Sequence, residues 1–262
     1  KEEPLLEVDN LAKHFQIRKG GLFGKSEVFK AVDDVSFRLF KGETLGVVGE
    51  SGCGKSTLAR CLIGLYAPDG GHVSFNGQDV ASLKGSGLKK MRRNMQMVFQ
   101  DPFSSLNPRM RVGESVGEGL RAHGLMNAAA REAFVKELLH DCGLSADSYN
   151  RFPHQFSGGQ RQRICIARAL SLKPDLIIAD EAVSALDVSV QKQILALLAG
   201  LKDKYNLSYL FISHDLRVVS EICDRVLVMK DGKIVEQGAT TDVFCHPGHV
   251  YTQHLLASIP GA

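Results

Sequence analysis

"TLGVVGESGCGKST", residues 44–57, decides the fold. Its first six residues are an apolar run of strand length, and its last nine contain the pattern G-x-x-x-x-G-K-[ST]. The residues that follow, "KSTLARCLIGL" from Lys55, have helical spacing. A strand that turns through glycines into a helix lets successive backbone N–H groups face one anion. The helix start adds its partial positive charge. The pattern implies a triphosphate cradle made by Gly49, Glu50, Ser51, Gly52, Cys53, Gly54, Lys55, Ser56 and Thr57. In it Lys55 reaches the β- and γ-phosphates, and Ser56 offers its hydroxyl to Mg²⁺.

A second apolar run ends in two carboxylates, in "IIADEAVSALD", residues 177–187. Charge is costly to bury, so such a pair asks for a positive partner. With a triphosphate site in the same chain, Asp180 is the acid that holds Mg²⁺ through water, and Glu181 the one that polarises a water for attack on the γ-phosphate. On its own the pair reads equally well as a cap for the next helix, because carboxylates favour helix N-termini. A third feature, "FSGGQRQR" at 156–163, is another glycine pair entering a helix. It reads either as helix capping by Ser157 or as a second anion site. One cradle needs no second, so the anion would belong to a nucleotide held by another copy or a partner.

The bulk numbers fit this reading. Of 262 residues 44% are hydrophobic and 23% charged, as in an ordinary globular protein. Lys plus Arg is 32 against 29 for Asp plus Glu, a net charge of +3 with no basic stripe, so nucleic acid is not expected as a partner. The longest apolar runs have strand length and are too short to cross a bilayer. Six cysteines without a C-x-x-C pair read as reduced thiols of a cytosolic protein.

Along the chain, "LLEVDNLAKHF" and "EVFKAVDDVSFRLFKGE" read as strands, with "RKGGLFGKS" between them as a loop insertion. Asn76–Gly77 and Asp231–Gly232 are hairpin turn signals. Helical segments dominate from about Leu88 to Leu170, and strands "DLIIAD" and "SYLFISH" follow, separated by the helical "SVQKQILALLAGLKDKY". A short helix, "YTQHLLASI", comes last. The fold class is α/β, with a mainly parallel sheet, an antiparallel β section and an inserted α-helical subdomain, and with the glycine loop at 49–57 its core resembles that of a P-loop NTPase (RecA-like). The expected boundaries in this one domain are core and β section at about 1–92 and 165–250, helical subdomain at 93–164, and terminal helix at 250–259.

"GESGCGKST", "VFQDP", "FSGGQRQR", "LIIADEA", "SALD" and "FISHD" occur in that order, and together they resemble the ATP-binding subunit of ABC transporters over essentially the whole chain. The closer resemblance is to ATPases of dipeptide, oligopeptide, glutathione and nickel importers. It rests on "VFQDPFSSLNPRM", "RFPHQFSGGQRQRICIARAL", "VSALDVSVQ" and "HPGHVYTQHLL". The resemblance implies ATP and Mg²⁺ as ligands and a head-to-tail pair of ATPase subunits, a paralogue being preferred to an identical copy. It also implies transmembrane permease partners, an extracytoplasmic substrate-binding protein, and a peripheral place on the cytoplasmic face of the inner membrane. Gln100 is then the residue that contacts Mg²⁺ and the attacking water. Ser157, Gly158, Gly159 and Gln160 close on the nucleotide of the opposite subunit, Asp187 ends the dimer-contact loop, and His214 bonds the γ-phosphate. Phe15 is the candidate adenine-stacking aromatic, with a core phenylalanine as its alternative.

Two departures stand out. Many such ATPases have Pro where this chain has Ala182, which restores an N–H beside Glu181, and little effect is expected. Peptide-importer ATPases often continue into a Cys-containing tail associated with an iron–sulfur cluster. That tail is missing from this sequence, and no cluster is expected. The competing classes are a soluble ABC-type ATPase of DNA repair or translation and a small-molecule kinase. The first usually carries long coiled-coil insertions or two ATPase units, and the second has no use for a second cradle at Ser157.

Overall fold

The structure is a computed structural model that describes residues 3–19 and 25–259. The chain folds as two compact units, Lys1–Arg92 with Leu210–Ala262, and Arg93–Tyr209.

In the first unit β1 (Leu6–Lys19) and β2 (Lys25–Leu39) run antiparallel, followed by β3 (Thr44–Val48), α1 (Lys55–Leu62), β4 (Gly70–Phe75) and β5 (Gln78–Asp79). One antiparallel sheet has the order β2-β1-β4-β5. Its β4–β5 hairpin turns at Asn76 and Gly77, both with positive φ (50° and 72°). The stretch read as a loop insertion is corrected here. The β1–β2 ladder runs on through Arg18↔Ser26 and Lys19↔Lys25, so those four residues are strand, and only 20–24 of that stretch lie outside the described residues. Charged residues carry a backbone ladder as well as apolar ones do, because the bonds are main-chain.

α2 (Gly85–Asn94) leads into the second unit, which holds β6 (Met95–Val98), α3 (Pro102–Ser105), α4 (Val112–Ala122), α5 (Ala128–Asp141), α6 (Gly158–Leu170), β7 (Leu176–Asp180) and α7 (Val188–Tyr205). β6 is a strand inside the helix-rich stretch, parallel to β7 with Met95↔Leu176 through Val98↔Ala179. Val112, Val116 and Leu120 of α4 and Val135, Leu138 and Leu139 of α5 are fully buried or nearly so, at helical spacing. Truncating one of them, as in Leu138→Ala, costs about 2–5 kcal/mol.

The chain returns through β8 (Ser208–Ser213), α8 (Leu216–Ile222), β9 (Arg225–Lys230), β10 (Lys233–Ala239), α9 (Thr240–Cys245) and α10 (Val250–Ala257). In the first unit β3 and β9 are parallel, and β9 and β10 form the hairpin expected at Asp231–Gly232. β3 and β8 are buried along their whole length, as parallel strands covered on both faces are. All six cysteines are free, and only Cys245 is exposed. No helix among the described residues is long and apolar enough to cross a membrane.

Candidate active site

The glycine loop after β3 is held in shape by its own residues and by neighbours. Gly54 has φ +108°, and a Cβ there would lie 1.9 Å from the carbonyl oxygen of Ala31, so no other residue fits. Cys53 N–H donates to the Glu50 carbonyl (3.3 Å), and Gly232 N–H donates to the Cys53 carbonyl (2.9 Å). Lys55, first residue of α1, is 5% exposed, and its Nζ donates to the carbonyls of Gly49 (2.7 Å) and Glu50 (3.0 Å). A buried ammonium turned into the loop that should hold the phosphates suits an anion. Burial pushes the Cys53 thiol up, although Lys55 beside it pulls the other way. Ser56 and Thr57 follow in the first turn of α1, and Ser51 and Gly52 are exposed at the loop's tip.

Phe15 sits half-buried on β1, edge-on to Tyr66 (ring centroids 5.7 Å apart, planes at 76°), with the Lys13 ammonium 5.4 Å from its ring. It therefore has an aromatic neighbour and an exposed part at once. His214 is exposed just beyond β8, before Asp215, which caps α8 by accepting the Arg217 N–H (2.9 Å).

In the second unit Asp180 ends β7 and is 6% exposed. The next residue, Glu181, has φ +53°, in the left-handed region that costs a non-glycine residue about 1–2 kcal/mol. Its carbonyl accepts both the N–H (3.1 Å) and the hydroxyl (3.0 Å) of Ser184, which hold the turn. Strain of this kind concentrates at functional positions. The next helix, α7, is capped by Asp187 and not by the acidic pair: Asp187 accepts the N–H of Val190 (3.0 Å) and the hydroxyl of Ser189 (2.8 Å). Those bonds hold its carboxyl below the usual carboxylate range.

Ser157 does cap α6. Its hydroxyl accepts the Gln160 N–H (3.3 Å), and Gln160 Oε1 accepts the Ser157 N–H (3.0 Å), a reciprocal capping box. Gly159 lies so close to α7 that a Cβ would be 2.5 Å from Val190 Cγ1. The start of α6 and the helix capped by Asp187 thus touch, which joins two stretches the sequence left apart. Gln100 is exposed after β6, and Asp101 opens α3 by accepting the Phe103 N–H (2.8 Å). Arg168 Nη1 donates to the Ser105 carbonyl (2.5 Å), and this bond ties α3 to α6.

Sequence reasoning assigned no role to Tyr251, Phe103, Arg161 or Val190. Tyr251 accepts the Glu50 N–H at 3.0 Å, a partner 201 residues away that no local pattern signals. Phe103 is 58% exposed, which marks an exposed aromatic but not its partner.

The strand–glycine loop–helix unit, with a second strand ending in acidic residues, defines a P-loop NTPase. Residues 32–184 match the model of the ABC transporter family. The chain is 52% identical over 260 residues to the oligopeptide transport ATP-binding protein AppF of Bacillus subtilis, across 99% of this chain and 79% of that protein. It is 50% identical to the glutathione import ATP-binding protein GsiA of Pectobacterium atrosepticum, across 99% of this chain but 42% of that longer protein. Among solved structures it is similar to CbiO1 of Clostridium perfringens, part of the ABC transporter complex CbiONQ (TM-score 0.80, 26% identity, 94% of this chain and 92% of that one). It is also similar to the dimeric ATP-binding cassette MJ0796 bound to ADP and Pi (TM-score 0.78, 30% identity, 90% and 98%). The chain belongs to the ABC transporter family, and it is an ATP-binding ATPase of that family.

Proposed function

We propose that this ATPase powers the import of peptides through a transmembrane permease. The observation that carries the reading is 52% identity to AppF over 99% of the chain, with the whole cradle and both acidic residues present. The dimeric cassette among its structural neighbours supports a two-subunit assembly. In this reading each subunit presents Ser157, Gly158, Gly159, Gln160 and Asp187 to the nucleotide of its partner, which is a paralogue by preference. The helical subdomain at about 93–164, with Gln100 at its start, receives the permease on the cytoplasmic face of the membrane. An extracytoplasmic binding protein delivers the cargo.

The residues' parts follow from their chemistry. Gly49 to Thr57 hold the phosphates by backbone N–H groups, and Lys55 swings from the Gly49 and Glu50 carbonyls to the β- and γ-oxygens. The hydroxyl of Ser56 and the carboxylate of Asp180, with Gln100, are hard oxygen donors that fit Mg²⁺. When bound, that ion neutralises charge on the β- and γ-phosphates. Glu181 takes a proton from water while the water oxygen bonds to the γ-phosphorus. The bond from that phosphorus to the β–γ bridging oxygen breaks, giving ADP and inorganic phosphate. His214 donates to the γ-phosphate, and Phe15 stacks on adenine.

The similarity to GsiA favours glutathione as the second reading. The test is uptake in cells from which the gene is deleted and then restored. Labelled oligopeptide uptake that falls on deletion and returns with the gene supports the proposal. Loss of glutathione uptake alone supports the second reading, and undisturbed uptake of both contradicts peptide and glutathione import alike.

A further inference from the structure

α10 is fastened at both ends of its first turn. Glu236 on β10 accepts the N–H groups of Gly248 (2.7 Å) and His249 (3.1 Å), which fixes the approach to the helix. His249 Nδ1 then accepts the Tyr251 N–H (3.1 Å) as the helix cap. Tyr251, 7% exposed, lies with its ring 5.1 Å from the Lys230 ammonium and accepts the Glu50 N–H at its hydroxyl (3.0 Å). Glu50 is therefore held at its N–H by Tyr251 and at its carbonyl by Lys55 and the Cys53 N–H. The β9–β10 turn makes a parallel tie when Gly232 N–H donates to the Cys53 carbonyl. Helix and hairpin thus each hold one flank of the exposed tip, Ser51–Gly52.

We propose that Tyr251 is a positioning residue for the triphosphate cradle, and that docking of α10 and binding of nucleotide are energetically coupled through its bond to Glu50. The proposal rests on the reading of Gly49–Thr57 as the nucleotide's phosphate site. When Lys55 leaves the Gly49 and Glu50 carbonyls for the phosphates, the loop loses those two ties, and of its internal bonds to Glu50 only the long one from the Cys53 N–H (3.3 Å) stays. The Tyr251 hydroxyl then keeps the Glu50 peptide oriented, so that the following N–H groups stay aimed at the anion. A part-buried hydroxyl–amide bond of this kind sets a loop's preorganisation without touching the ligand.

The test uses the purified chain and three substitutions. Tyr251→Phe keeps the ring beside Lys230 and removes the hydroxyl. Glu236→Gln weakens the anchor of α10 without touching the loop. Lys55→Met removes the phosphate-binding ammonium. Tyr251→Phe is expected to raise both the ATP KM and the Kd of a non-hydrolysable ATP analogue about three- to tenfold, with kcat within about twofold. Glu236→Gln shifts Kd in the same direction, and the double variant is no worse than Tyr251→Phe alone. Amide exchange adds a readout that a merely structural role would not move: the analogue protects α10 in the unaltered chain and fails to do so in Tyr251→Phe. Unchanged Kd in both Tyr251→Phe and Glu236→Gln, with α10 indifferent to nucleotide, overturns the coupling. If Lys55→Met binds the analogue as well as the unaltered chain does, the cradle reading itself fails, and the two failures are thereby told apart.

Discussion

The guanidinium of Arg161 lies 3.9 Å from the centroid of the Phe103 ring, while its Nε donates to the carbonyls of Pro153 (2.9 Å) and Phe156 (3.1 Å). One side chain thereby connects α3, just after Gln100, with the chain entering the Ser157–Gln160 helix start. Arg161→Ala is predicted to destabilise the protein by about 1.5–3 kcal/mol, because bonds from a charged donor to two carbonyls are lost. Arg161→Lys recovers little of this, since a point charge lacks the planar fork that stacks and donates together. Urea unfolding of the three proteins measures it, and equal midpoints would show that the contact contributes nothing.

Gly159→Ala places a methyl group 2.5 Å from Val190 Cγ1. Overpacking of this size costs about 1–3 kcal/mol and pushes the two helix starts apart. ATP hydrolysis is predicted to fall at least tenfold in the single variant and to recover substantially in Gly159→Ala/Val190→Ala, where the clash is relieved. A double variant as inactive as the single one would show that the glycine is needed for some other reason.

Glu181→Gly relieves the left-handed strain at φ +53°. The relief of about 1–2 kcal/mol is partly offset by the entropy glycine gains in the unfolded chain, which leaves a net gain of about 0.5–1 kcal/mol. Thermal unfolding should show a small rise in Tm together with loss of turnover. A fall in Tm would mean that the side chain of Glu181 stabilises the fold more than its backbone strains it.

Asp141 is pushed up by burial, but the Lys204 ammonium (2.6 Å) and the Tyr205 hydroxyl that bond to it outweigh that and hold its carboxyl below the usual value. A carboxyl with a lowered folded-state pKa stabilises the protein above its unfolded pKa of about 3.9, and that contribution is lost as pH falls further through the folded value. Asp141→Asn should therefore lower stability at pH 7 and flatten the decline below about pH 4. Parallel stability curves for the two proteins across that range would contradict the assignment.

The sequence was most legible where chemistry is local. The Gly49–Thr57 loop, the end of β7 at Asp180 and the capping of α6 by Ser157 each follow from residues within a few positions of one another. The outer β1–β2 ladder was missed because charged residues such as Arg18 and Lys25 hide a main-chain pairing that side-chain alternation cannot show. β6 was missed because "MQMV" is four residues long between helices. The left-handed Glu181 had no signal, since glutamate has no preference for that conformation. Tyr251 and Glu50 are 201 residues apart, so only the folded chain brings their bond into view.

The central claim is that Glu181 takes the proton from the attacking water. Glu181→Gln is isosteric and keeps the turn, and it replaces the base with an amide. The most direct measurement is ATP turnover of this variant beside its ATP affinity and its subunit association. The account predicts turnover down at least about a hundredfold, the lower end of a general base's contribution, with ATP bound as tightly as before and the dimer more stable. Sustained hydrolysis near the rate of the unaltered protein would contradict it.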